Sequence, residues 1–376
     1  MSFPVDQSTD YITNLKELCE VLNLPEFLKE SGEKAEAVLP LKIPYSLLDR
    51  MEKGNPDDPI LLQFLPDNNE LKTVTGYTND PLNEENVLLQ PGILQKYQNR
   101  ALILTNDFCA AQCRFCFRRT KSKNPTLYSL LNETEKFDFS SFICPETTLS
   151  KETDKRFSPG KQNDCWNRFF QAIRDDSSIS EIILSGGDPL ASSNKWLKTL
   201  CHYIKTIAHV KRVRFHSRLP ILIPERIDDH FPLFEKGIEK NSNNQPVYYL
   251  VFHINHPNEL NDRVYKMFDR LLLHGVVLMS QTVLLRRIND NASVLEKLFD
   301  DLINHRVIPY YLHQLDKVQG AADFEVPIRK GLDIMRQLRQ RLPGYAVPNY
   351  VQEMPGTDFK QNLENIETNS FQHDNN

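Results

Sequence analysis

The chain contains no apolar run approaching the ~18 residues needed to span a bilayer, and this excludes a membrane-spanning helix. Its first residues, Met1-Ser-Phe-Pro-Val-Asp-Gln7, lack the basic-then-apolar pattern of a secretory signal. It has no excess of positive charge. A formal net charge of −5 and a pI near 6.1 leave no electrostatic footprint for nucleic acid or an acidic membrane surface. It also lacks the cysteine pattern of a disulfide framework: the cysteines number seven, and three of them crowd together. Cys19, Cys144, Cys165 and Cys201 share no spacing and read as ordinary thiols. These absences lead to the expectation of a cytoplasmic protein with neither nucleic acid nor membrane as partner. The remaining composition, 40% hydrophobic and 25% charged over 376 residues, suits a soluble globular chain of one large domain or two ordinary ones.

The crowded cysteines are Cys109, Cys113 and Cys116, in the run Asn106-Asp-Phe-Cys-Ala-Ala-Gln-Cys-Arg-Phe-Cys-Phe-Arg-Arg119. The spacing Cys-x3-Cys-x2-Cys offers three thiolates and leaves a metal site one ligand short. Structural zinc wants a closed tetrahedron, whereas a four-iron cluster on three cysteines keeps one iron open for a small molecule. The residues alone leave a zinc knuckle completed by a distant ligand, or three unrelated thiols, as alternatives. The spacing resembles that of the radical S-adenosylmethionine enzymes. In those enzymes the open iron holds S-adenosylmethionine, and an electron from the cluster releases a deoxyadenosyl radical.

Short apolar runs of β type recur downstream, at Ala101–Thr105, Glu181–Ser185, Val213–Ser217, Tyr248–Ile254, Val276–Gln281 and Val307–His313. Amphipathic stretches such as Asn258–His274 and Ala292–His305 lie between them. Alternation of this kind predicts an α/β fold, a partial (β/α)6 barrel with a parallel sheet. Polar residues gather where each run ends: the cysteines, Ser185-Gly-Gly-Asp188, Ser217-Arg218, His253 and Asn255, Gln281, then His313 and Asp316. In a barrel those ends converge on one mouth. Residues 1–90 read as a helical N-terminal arm, with helical patterns at Tyr11–Leu22 and Tyr45–Lys53. Residues 91–365 form the core, 120–164 within it a polar insertion, and 366–376 a disordered tail.

Two further motifs carry chemistry. Glycines in Ser185-Gly186-Gly187-Asp188 let backbone approach a ligand, and Asp188 is placed to accept from an ammonium group. Lys360 closes the loop Glu353-Met-Pro-Gly-Thr-Asp-Phe-Lys360, where a lone lysine is ordinarily a solvated charge.

From about Leu41 to Leu363 the chain resembles the lysine 2,3-aminomutase family. It comes nearest to the shorter branch that serves β-lysylation of translation elongation factor P. The text carrying the likeness includes Asp49-Arg-Met-Glu-Lys-Gly-Asn-Pro-Asp-Asp58, Lys96-Tyr-Gln-Asn-Arg100, Phe215-His-Ser-Arg-Leu-Pro220, His253-Ile-Asn-His-Pro-Asn-Glu259, Gln281-Thr-Val-Leu-Leu285 and Tyr310-Tyr-Leu-His-Gln-Leu-Asp-Lys-Val-Gln-Gly320. The resemblance implies an isomerase that uses a [4Fe-4S] cluster, S-adenosyl-L-methionine and pyridoxal 5'-phosphate to convert L-lysine to β-lysine.

Carried over by position, the resemblance makes Cys109, Cys113 and Cys116 the cluster ligands and Lys360 the Schiff-base lysine. Arg100 and Lys96 fall beside the pyridoxal phosphate. Ser185, Gly186, Gly187, Asp188, His253 and Gln281 fall beside S-adenosylmethionine. Arg118 falls at the grip on the substrate carboxylate, and Asp316 with Glu353 at the far ammonium of lysine. A reductant such as flavodoxin or ferredoxin, and a functional link to elongation factor P and its ligase, are the implied partners; a homo-oligomer is left open. Asn291 stands where the larger enzymes carry a zinc-binding cysteine, and no cysteine follows Cys201. The rival readings are an aminomutase for another amino acid, a radical enzyme without pyridoxal phosphate, and an iron–sulfur electron carrier.

Overall fold

The computed structural model describes residues 11–90, 92–119, 169–234 and 245–365. The expected insertion and tail, with Cys144 and Cys165, lie outside those residues.

The strands in chain order are β1 (Tyr11–Ile12), β2 (Ile43–Pro44), β3 (Leu88–Gln90), β4 (Ile93–Leu94), β5 (Arg100–Leu104), β6 (Glu181–Ser185), β7 (Arg212–Ser217), β8 (Val247–His253), β9 (Val277–Val283), β10 (Ile308–His313), β11 (Asn349–Gln352) and β12 (Gln361–Asn362). β3 through β12 form one ten-stranded sheet in sequential order, while β1 and β2 pair separately. From β5 to β11 every neighbouring pair is parallel. β3, β4 and β12 join antiparallel at the two ends. The six apolar runs read from sequence are therefore β5 to β10, in the expected order and sense. β11 adds a seventh parallel strand. Among the described residues the ladder runs from β3 to β12 without a closing pair.

The crossover helices follow from capping and spacing. Asn261 Oδ1 accepts from the Val264 N–H at 3.1 Å and starts the helix Asp262–Leu273, which buries Val264, Met267, Phe268 and Leu271 at three- and four-residue steps. Gly275, at φ +77°, turns the chain out of that helix into β9. Asn291 Oδ1 takes the Ser293 N–H at 2.8 Å and begins Ala292–Asn304. Asn291 is thus a helix cap. No helix among the described residues is long and apolar enough to cross a membrane.

The N-terminal region departs from the expectation of simple helices. Tyr11–Ile12 is a strand, and the first helix spans only Leu15–Val21 because Asn14 caps it. Tyr45–Arg50 is a 3-10 turn, and a second helix occupies Phe27–Val38. Ile12, Leu18, Leu41, Leu47 and Phe64 belong to the same buried cluster as the sheet residues Ala101, Leu184 and Phe215. The segment packs on the core through that shared cluster.

Candidate active site

The carboxyl ends of the parallel strands and the loops after them enclose one cavity of about 400 Å³. The residues that the resemblance assigned to the site all line it: the three cysteines, Lys96, Arg100, Arg118, Ser185, Gly186, Gly187, Asp188, His253, Gln281, Asp316, Glu353 and Lys360; Asn255, also expected at a strand end, is wholly buried behind His253.

The cysteine loop is pinned from below by the N-terminal region. Lys42 Nζ donates to the Cys109 carbonyl at 2.8 Å, and the Gln112 and Arg114 N–H groups donate to Lys42 O and Gln63 O. Arg114, wholly buried between Cys113 and Cys116, makes a forked ion pair with Glu70 at 2.8 Å on both oxygens and donates to Leu39 O at 2.7 Å. On the upper side the two glycines lie against the same loop. The Gly187 N–H donates to Asn106 O at 2.6 Å, and a Cβ on Gly187 would overlap the Phe108 carbonyl. Gly186 sits at φ +111°, a backbone state that favours glycine.

Burial raises all three thiols, Cys116 to about 11, with Cys113 adding to its shift. Cations offset this: Lys42 faces Cys109, and Arg218 Nη1 donates to Cys113 Sγ at 2.8 Å. Arg218 Nε is buried without a partner beside them. Among the described residues no three His, Cys, Asp or Glu side chains are gathered as a preformed metal cage. The fit to a cluster therefore rests on three thiols along one wall, a cationic hydrogen-bond donor at their sulfur and an orphaned N–H.

Asp188 does not present free oxygens to the cavity. Oδ1 accepts from Ser217 Oγ at 2.7 Å and the Leu190 N–H at 3.0 Å, and Oδ2 from the N–H groups of Arg218 at 2.8 Å and Leu219 at 2.9 Å. The acid ties the loop after β6 to the loop after β7. His253 is kept neutral by burial, its pKa lowered to about 3, and Nε2 meets Asn255 Oδ1 at 3.1 Å.

Arg118 is already engaged. Its Nε and Nη2 fork onto the two oxygens of Glu84 at 3.2 and 2.7 Å, and Nη1 donates to Ser185 Oγ and Gly186 O at 3.0 and 3.1 Å. Glu84 follows Asn83, which is held at φ 52°.

Glu353, on the same cavity, joins three partners: Lys360 on one oxygen, Lys96 and the Tyr97 hydroxyl on the other. Burial raises the Glu353 pKa, but the Lys360 charge and these hydrogen bonds outweigh it and hold it at about 2. Among the described residues no side chain donates to Asp316 in this way. Burial pushes it up to about 7, opposed by Lys360 and assisted by Glu353 and Glu84. Two acids close together, one ionised and one near neutrality, suit a cationic guest.

Arg100 stacks over the Tyr97 ring at 4.8 Å, its Nε buried and unpartnered, as are Arg214 Nε and His216 Nε2 on β7. Unspent N–H groups on a cationic wall suit an anionic cofactor such as pyridoxal phosphate. Sequence reading had not singled out Glu84, Tyr97, Arg214 or His216 as site residues. Arg214 and His216 carried a signal in retrospect: they alternate on β7 with buried Val213 and Phe215, which sends both toward the cavity.

No family model matches the chain. Among curated proteins it is 37% identical over 359 residues to the L-lysine 2,3-aminomutase of Escherichia coli strain K12, covering 95% of this chain and 93% of the relative. It is 35% identical to that of Haemophilus influenzae, over 93% and 92% of the two chains. With that of Clostridium subterminale it shares 30%, over 93% of this chain and 75% of the longer relative.

Proposed function

The chain belongs to the lysine 2,3-aminomutase family, and we propose that it moves the α-amino group of L-lysine from C2 to C3, giving β-lysine. The family's cofactors are a [4Fe-4S] cluster, S-adenosylmethionine and pyridoxal 5'-phosphate, and the cavity has a wall suited to each. The observation that carries the reading is that the acid pair, Asp316 and Glu353, lines the same cavity as Arg118, the three cysteines and Lys360.

When bound, the cofactors supply a carbon radical and an electron sink, neither of which protein side chains offer. The protein's part is to bind, orient and exclude water. Cys109, Cys113 and Cys116 would hold the cluster. Ser185, Gly186 and Gly187, with His253 and Gln281, would line the S-adenosylmethionine site, while Asp188 braces that loop from behind. Lys96 and Arg100 would face the pyridoxal phosphate anion, with Lys360 as its covalent anchor.

Glu353 holds the Lys360 ammonium in place and would lose that partner were Lys360 to anchor the cofactor. The Glu353 charge is then left for a new cation, and the ammonium group of the substrate side chain meets it together with Asp316. Arg118 takes the substrate carboxylate by exchanging it for Glu84. Two acids at the far end would repel a second carboxylate, which disfavours an acidic amino acid as substrate.

The product would serve β-lysylation of elongation factor P, with a soluble flavodoxin- or ferredoxin-type reductant supplying the electron. The test is an anaerobic assay of the reconstituted protein with lysine, S-adenosylmethionine, pyridoxal phosphate and dithionite. Formation of β-lysine is expected; neither β-lysine nor deoxyadenosine would overturn the reading. A visible absorbance band of the lysine-bound pyridoxal phosphate, lost in Lys360→Ala, reports the cofactor link separately.

A further inference from the structure

Arg218 follows β7 and reaches the cysteine wall. Its Nη1 donates to Cys113 Sγ at 2.8 Å, while Nη2 donates to Gln63 Oε1 at 2.5 Å and Glu259 Oε2 at 3.0 Å. Glu259, wholly buried, accepts on its other oxygen from the N–H groups of Asn255 and His256 at 2.9 and 3.0 Å and from Gln63 Nε2 at 3.2 Å. Phe64 and Phe115 flank the guanidinium, their ring centroids at 4.9 and 5.8 Å. The group cannot swing away, because each neighbour is itself tied to backbone or packed. A buried ion pair would be complete with Glu259 and Gln63. The bond to sulfur is an addition that ion pairing does not require.

We propose that Arg218, held in place by Glu259, is a positioning residue that sets the reduction potential of the iron–sulfur cluster through its hydrogen bond to Cys113 Sγ. This rests on Cys113 being a cluster ligand, as read above. A donated N–H and a nearby positive charge draw electron density from the coordinating sulfur and favour the state with one more electron. The buried negative charge of Glu259 opposes that, so the two residues act with opposite signs at the same cluster. One electron passes from the reductant to the cluster; no bond forms or breaks at Arg218, and no proton moves. A higher potential eases filling of the cluster by a soluble reductant and weakens its power to cleave S-adenosylmethionine. The pair sets the compromise between these two demands.

The experiment is an EPR-monitored redox titration of the anaerobically reconstituted full chain without S-adenosylmethionine, with iron and sulfide counted for each sample. Arg218→Met is expected to shift the potential downward, Arg218→Lys to shift it less in the same direction, and Glu259→Gln to shift it upward. Full clusters with unchanged potentials would overturn the proposal. So would a shift of the same sign in Arg218→Met and Glu259→Gln, because that is what a merely loosened pocket produces. Should Arg218→Met fail to fold, Arg218→Lys and Glu259→Gln retain the opposed signs. A parent protein that takes up no four-iron cluster overturns the cluster reading itself, and this is visible in the iron count before any potential is measured.

Discussion

Glu353 holds the Lys360 ammonium on one carboxylate oxygen and the Lys96 ammonium on the other, so a single acid balances the two lysines nearest the expected carbonyl chemistry. Glu353→Gln leaves both cations without their counter-charge and removes one of the two anions available to the substrate side chain. A hydrogen bond to a charged group is worth about 1.5–3 kcal/mol, roughly ten- to a hundredfold in affinity. The KM for lysine is expected to rise by about that factor in steady-state assays at saturating pyridoxal phosphate, with a smaller fall in kcat. An unchanged KM would place the lysine ammonium elsewhere.

Asp316 gives the site a pH dependence. Its carboxyl is raised to about 7, chiefly by burial, and only the ionised form attracts an ammonium group. Lysine binding should therefore strengthen as pH rises through about 7 and weaken below it. In Asp316→Asn that slope is lost and binding is weak throughout. Stability runs the other way. The folded state holds this proton up to a higher pH than the unfolded chain does, so Asp316 costs stability above the unfolded pKa, increasingly until the pH passes about 7. Asp316→Asn should be more stable than the parent at pH 8, by up to about 4 kcal/mol at ~1.4 kcal/mol per pKa unit, and equal to it near pH 3. Urea melts at the two pH values check this, and a variant less stable at pH 8 would contradict it.

What could be read from the sequence and what could not divides on range. The strands β5 to β10 are apolar runs bounded by polar residues, a local pattern, and their ends predicted which side chains share the cavity. β11 escaped because Asn349-Tyr-Val-Gln352 is short and only half buried. The N-terminal region misled because Asn14 starts the first helix only at Leu15, after the strand Tyr11–Ile12, and Tyr45–Arg50 winds as 3-10, neither of which the apolar spacing announces. Glu84 sits in a polar stretch 34 residues from Arg118, and nothing near it in sequence announces the pairing. Asp188 was visible as a motif acid, yet its commitment to Ser217, Arg218 and Leu219 needs the β6–β7 neighbourhood to be seen.

The Glu84–Arg118 fork sets up a competition. If the substrate carboxylate replaces Glu84, weakening that internal pair must favour substrate. Glu84→Gln is expected to lower the lysine KM several-fold, whereas Arg118→Lys, which loses the planar fork, raises it about tenfold or more. Measuring both variants with lysine and with its decarboxylated analogue, cadaverine, isolates the carboxylate: the analogue's binding should respond to neither change. A KM raised in Glu84→Gln would mean that Glu84 orients Arg118 for the substrate and is not exchanged for it.

Gly187 tests whether the cysteine loop depends on its contact with the glycine turn. A Cβ there would overlap the Phe108 carbonyl, lie 2.5 Å from Asn106 Oδ1 and press on the Phe108 N–H at 2.6 Å. These are mostly backbone atoms of the loop that leads into Cys109, and they have no rotamer to escape into. Forcing a methyl group into such a contact costs about 1–3 kcal/mol, and the strain falls on the cysteine loop. Gly187→Ala should therefore fold with a lowered urea midpoint and take up substantially less iron on reconstitution, while Gly344→Ala, whose Cβ meets nothing within 4 Å, should match the parent in both. Full iron uptake by Gly187→Ala would show that the cysteine loop can move without losing its ligand geometry, and would remove the glycine turn from the architecture of the cluster site.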